Sequence, residues 1–191
     1  MDPKELGNIR NITISGRIGS GATTLAVHLA ETLGWEMLDG GKLFREFTKD
    51  HGFAKGRDDQ FDLDYEERVK KKLREENHQI IQSKLAGYDS MGIDGIFKIF
   101  VVVEEDGQDK TDVRIDRLVN RDGMHVEDAK NEIKERDIQD LDKWRRLYAN
   151  NDPNWFYWDP KYYDLIINTF ELNQADALYA VLKAVGYKLE A

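Results

Sequence analysis

Apolar residues along this chain switch spacing repeatedly, from continuous or alternating runs to every third or fourth position. Ile12-Thr13-Ile14-Ser15 is a short β-branched run and predicts a strand. Leu25, Leu29 and Leu33 then recur at i, i+4 and i+8, one face of a helix that Gly34 ends. Residues 35–38 predict a second strand, closed by Asp39-Gly40-Gly41, with a helix over 42–50 and a polar loop over 51–61. Tyr65, Val69 and Leu73 line one face of the next helix, with Asp64 as its expected cap and Glu67 as the capping-box partner. Gln79–Gln82 predicts a third strand. Residues 97–103 (FKIFVVV) are apolar on both faces, the pattern of a central parallel strand. The segment EEDGQDKTD predicts a surface turn, followed by helices over 113–121 and 126–148. A loop rich in Asn, Asp and Trp over 150–160 leads to a fifth strand over 164–169. Leu178, Val181, Leu182 and Val185 mark the last helix, closed by Gly186. Strands alternating with helices predict a three-layer α/β/α fold, a five-stranded parallel sheet with right-handed crossovers. No repeat or linker divides the 191 residues, so 1–191 reads as one domain.

Composition narrows the chemistry. Net charge is −9, which argues against nucleic acid or an anionic membrane as partner, since both select basic surfaces. The absence of cysteine excludes disulfides, thiolate metal sites and cysteine nucleophiles. No apolar run reaches the ~18 residues of a membrane span, and the opening MDPKELGNIR lacks the apolar stretch of a secretory signal. The expected compartment is the cytoplasm. His28, His51, His78 and His125 have no metal-ligand spacing, and Trp35, Trp144, Trp155 and Trp158 read as packing residues.

The strongest local signal is GRIGSGATT, a glycine-rich loop between the first strand and the first helix. Its spacing is G-x-x-x-x-G-x-[ST], running from Gly16 to Thr23. Glycines let backbone N–H groups converge on phosphate oxygens, and the helix N-terminus adds a partial positive charge. Gly16, Gly19, Ser20, Gly21, Ala22, Thr23 and Thr24 are therefore candidate phosphate ligands, with the Thr23 hydroxyl placed for Mg²⁺. One position departs from the rule: Ala22 stands where this loop normally carries a lysine. Arg17, inside the loop, is the nearest cation that can replace it.

Further segments resemble one family. ITISGRIGSGATTLAVHLAETLG, DGGKLFR, QSKLAGY, IDRLVNRDG, EIKERDIQDLDKWRRLY and YYDLIINT are together similar to the P-loop nucleoside monophosphate kinases, most closely to cytidylate kinases of the short archaeal type. The resemblance runs from Ile12 to about Val185. It implies transfer of the ATP γ-phosphoryl group to a nucleoside monophosphate, with CMP as acceptor, Mg²⁺ as cofactor, small nucleotides as partners and a monomeric enzyme. It further implies that Arg45 and Lys84 hold the acceptor phosphate. Arg117 would lie on the adenine ring and Arg121 near the ATP phosphates. Arg136 would close on the transferring group from a lid over 121–150, with Lys143 as a second basic residue. Gln82 replaces the family's acidic residue at the end of strand three, and Asp39 is the nearest compensating carboxylate. The segment 121–148, dense in charge and poor in apolar residues, predicts a mobile lid. Two other readings remain open: a nucleotide-binding protein with little turnover, and a kinase for another small acceptor.

Overall fold

The computed structural model describes residues 2–42 and 59–188. Its centre is β1 (Asn11–Gly16), every residue of which is buried. On one side lies β3 (Gln79–Gln82), with β2 (Glu36–Asp39) beyond it. On the other lie β4 (Ile96–Val102) and then β7 (Leu165–Asn168). All these pairings are parallel, so the sheet has the order β2-β3-β1-β4-β7. This is the expected five-stranded sheet, with β1 in the middle and β4 beside it.

Alternation along β1 sorts the two faces. Ile12 and Ile14 join Leu25, Leu29 and Leu33 of α1 (Ala22–Leu33) and Val181 and Leu182 of α6 (Gln174–Ala184). The opposite face carries Val69 and Leu73 of α2 (Asp59–Glu75) against Ile81 and Ala86, the first residue of the short α3 (Ala86–Asp89). Asn11 ties these layers together. Its amide donates to the carbonyls of Leu73 (3.1 Å) and Glu76 (2.8 Å), and its Oδ1 accepts from Gln79 N–H (2.9 Å).

Two expectations are corrected. α2 begins at Asp59, so Asp64 is not its cap; Asp64 lies in the first turns and accepts from Gln60 Nε2 at 2.7 Å. The expected surface turn is a small antiparallel hairpin, β5 (Glu104–Glu105) and β6 (Gln108–Asp109), turned by Asp106 and Gly107 at φ 51 and 73. The expected lid helix, α5 (Val126–Tyr148), has two apolar footings. Its Ala129 and Ile133 pack on Leu118 of α4 (Thr111–Asp122), and Trp144 packs with Leu85, Phe100 and Tyr157. Ala129, Ile133 and Trp144 are buried while Val126 and Ile138 are exposed, a division that a count of charges hides. The loop over 150–160 supplies the other half of that anchor through buried Tyr157.

Amide exchange in the ligand-free protein should therefore be graded along α5. We expect slow exchange around Trp144 and fast exchange over residues 122–128. Uniformly fast exchange from 122 to 148 would show that the two footings do not hold the helix.

Candidate active site

The glycine loop leaves the C-terminal edge of the central strand. Gly19 and Gly21 sit at φ 77 and 89, a region that side chains rarely adopt. Space is equally restrictive at Gly19, where a Cβ would lie 2.7 Å from the Arg114 carbonyl oxygen. Gly21 caps α1 without a side-chain hydrogen bond, so the first N–H groups of that helix are not claimed by a capping side chain. Thr23 donates its hydroxyl proton to Gln82 Oε1 at 3.2 Å, leaving its lone pairs free of that bond. The neutral Gln82 thus orients Thr23.

The loop and the candidate basic residues share one open cleft of ≈ 1640 Å³. Asp39, Lys84, Arg117, Arg121 and Arg136 all line it, as does the loop from Gly16 to Thr24. The volume exceeds that of a single small-ligand pocket. Arg45 lies outside the described residues.

Each cation in the cleft has a different degree of freedom. Arg17 is held: Nη2 donates to Asp137 Oδ2 at 2.6 Å, Nη1 pairs with Asp109 Oδ1 at 3.0 Å, and the guanidinium lies 5.2 Å from the Trp158 ring centre. Arg114, 0% exposed, pairs with the same two carboxylates at 3.0 and 2.8 Å. Two arginines and two aspartates therefore form a closed ring. Arg114 Nε also donates to Ile18 O at 2.8 Å, which fixes the back of the glycine loop. Arg117 braces the loop from another side, donating to the carbonyls of Gly19 and Ser20 and to Thr169.

Lys84 pairs with Asp140 of α5 at 2.5 Å. Burial lowers its pKa; Asp140 opposes that shift and the nearby Arg136 guanidinium adds to it. Arg136 pairs with Glu132 of its own helix at 3.3 Å, and the more exposed Arg121 makes two hydrogen bonds to neighbouring Asp122. Lys143 faces Asp62 of α2 at 2.8 Å, and Arg146 holds Asp59, so the far end of α5 rests on α2. Asp39 ends β2 opposite Gln82 and accepts from Lys42 N–H at 3.0 Å. Among the described residues no group of three or more His, Asp or Glu residues is placed to hold a metal.

The sequence reading missed Arg114, Asp109, Asp137 and Asp140. An arginine in a charged helix reads as solvated. The available signal was spacing: Arg114, Arg117 and Arg121 recur at i, i+3 and i+7, so one helical face turns toward the loop.

The sequence profile of a family described as an AAA domain matches residues 15–151. The chain is similar to the cytidylate kinase of Methanopyrus kandleri, 32% identical over 91% of each chain. It is also similar to the cytidylate kinase of Natronomonas pharaonis, 33% identical over 91% of this chain and 87% of that one. Among solved structures, shikimate kinase from Bacteroides thetaiotaomicron superposes with a TM-score of 0.61 at 18% identity, covering 93% of this chain and 98% of its own.

Proposed function

Because the chain belongs to the cytidylate kinase family, we propose that it transfers the γ-phosphoryl group of ATP to a nucleoside monophosphate, with CMP as the preferred acceptor. The observation that carries this reading is the single cleft lined by a phosphate loop and by Lys84, Arg121 and Arg136. Such a cleft can hold donor and acceptor phosphates end to end, which neither a simple binding module nor a one-ligand pocket requires.

In the reaction, an oxygen of the acceptor phosphate forms a bond to the γ-phosphorus. The bond from that phosphorus to the β–γ bridging oxygen breaks, and ADP leaves. The acceptor is already anionic, so no general base is required. Catalysis is positioning and electrostatic stabilisation. Backbone N–H groups of the glycine loop and the start of α1 hold the ATP phosphates. Lys84 and Arg45 hold the acceptor phosphate, and Arg121 and Arg136 offset charge on the transferring group. Lys84 must exchange Asp140 for that phosphate.

The donor set suits a hard divalent cation: a threonine hydroxyl oriented by Gln82, with Asp39 at the neighbouring strand end. Mg²⁺ held there would neutralise charge on the β- and γ-phosphates.

Release of ADP on addition of CMP, UMP, AMP and non-nucleotide acceptors at fixed ATP tests the proposal. ATP binding without acceptor-dependent ADP release would favour a non-catalytic nucleotide binder, the reading that Ala22 keeps in play. We further expect Arg45→Ala to raise the KM for the acceptor about ten- to a hundredfold, the loss of one charged hydrogen bond to phosphate. The KM for ATP should not move; a change confined to ATP would reverse the assignment of the two sides.

A further inference from the structure

α5 turns a row of alternating charges toward the cleft. Glu132, Arg136 and Asp140 recur at i, i+4 and i+8, and all three line it. Arg136 pairs with Glu132 at 3.3 Å, and Asp140 pairs with Lys84 at 2.5 Å. The second pair is the more enclosed: its side chains are 13% and 10% exposed, against 34% for both members of the first. Lys84 stands between β3 and α3, so this pair ties the middle of α5 to the edge of the sheet. Burial lowers the Lys84 pKa, Asp140 raises it, and the Arg136 guanidinium, a like charge close by, lowers it.

Asp140 therefore lies between two cations. One is Lys84, which it already holds. The other is Arg136, four residues back on the same helix, a spacing at which an arginine and an aspartate meet. The Asp140 carboxylate is also an anion in the place where an acceptor phosphate must bind. When a phosphate takes Lys84, Asp140 loses its charge partner in an enclosed position and gains a second anion beside it, and breaking an enclosed ion pair is costly. Turning to Arg136 relieves both. It also draws the guanidinium away from Glu132 and along the helix toward Lys84, where the phosphate now sits. One exchange of side-chain partners thus links occupancy of the acceptor site to the placement of Arg136.

We propose that Asp140 is a positioning residue with two alternative partners: it holds Lys84 while the acceptor site is empty, and turns to Arg136 when an acceptor phosphate takes Lys84, so that Arg136 is set for transfer only once the acceptor is bound. The proposal rests on the kinase reading above. Its consequence is that water is a poor substitute acceptor, because water does not displace Asp140.

The test is Asp140→Asn, which keeps the shape and an acceptor for the Lys84 hydrogen bond but has no charge to offer either cation. Calorimetric titration with CMP, and separately with inorganic phosphate, should give a Kd about three- to tenfold lower than in the native protein, since the internal competitor is gone. At saturating ATP, kcat with CMP should fall about tenfold or more while the KM for CMP falls with it. A purely structural role would lower the melting temperature and weaken binding, the opposite sign. Lys84→Met should weaken CMP binding and, by releasing Asp140 to Arg136, raise ADP release from ATP alone. Should Asp140→Asn not fold, the native protein decides: the Arg136 Nε–H resonance, assigned by its loss in Arg136→Lys, should shift when CMP or inorganic phosphate is added without ATP. A resonance unmoved at saturating CMP, or a Kd for CMP that rises in folded Asp140→Asn, overturns the assignment. No turnover of any monophosphate would instead overturn the kinase reading, while the phosphate titration and the resonance would still report on Asp140.

Discussion

Arg114→Ala should lower the melting temperature by roughly 6–12 °C, since breaking a buried ion pair costs about 3 kcal/mol at the low end and a chain of this size loses 2–4 °C per kcal/mol. The low end applies because Arg17 still faces Asp109 and Asp137 once Arg114 is gone. Two further losses point the same way. The Ile18 carbonyl loses its 2.8 Å donor, and the floor beneath Gly19 opens. Arg114→Lys should recover little, because an ammonium cannot serve both carboxylates and Ile18 O in a planar fork. Thermal melts of the three proteins check this; a shift below about 2 °C in Arg114→Ala would mean the ring is decorative.

Ala22→Lys should raise kcat by one to two orders of magnitude, about 1.4–2.7 kcal/mol in the barrier. A lysine at this point of the loop supplies a mobile charge that follows the γ-phosphoryl group as it moves. Arg17 is the natural substitute by sequence, yet two aspartates and the face of Trp158 hold it. For Arg17 to reach the phosphates it must leave both carboxylates, and Asp137 rides on α5. Arg17→Ala, measured alongside, separates the two cases. If Arg17 stays in its ring, Ala22→Lys speeds turnover and Arg17→Ala acts mainly through stability. If ATP draws Arg17 out, the new lysine adds little and Arg17→Ala abolishes turnover. A large loss in Arg17→Ala together with no gain in Ala22→Lys would overturn the expectation stated here.

Much of the fold was legible because its signals are local. The β-branched run of β1, the i, i+4, i+8 leucines of α1 and the apolar β4 each follow from short-range periodicity. So does the glycine loop, whose positive φ angles only glycine tolerates easily. The start of α2 was misplaced because Asp64 and Glu67 mimic a cap, and nothing local distinguishes a capping aspartate from one in the first turns. The charged character of α5 concealed Ala129, Ile133 and Trp144, since inner-face residues spaced over many turns do not dominate a composition. In and behind the cleft, residues tied to backbone motifs were found, whereas Asp140 in its lining and Arg114 and Asp137 behind the glycine loop were not. Asp137 and Asp140 depend on partners 23 to 120 residues away in the chain, which no spacing rule reaches.

The brace between Thr169 and the glycine loop also orders events during synthesis. Thr169 Oγ1 donates to Ser20 O across 149 residues of sequence, and Arg117 joins both. The loop emerges from the ribosome 149 residues ahead of Thr169, which follows directly on β7. A nascent chain stalled before residue 165 can form β1, α1 and most of the sheet, and still lacks the clamp that sets Ser20 and Gly21 for phosphate. Nucleotide affinity should therefore appear late and abruptly as the chain lengthens, so ATP can reward only the finished sheet.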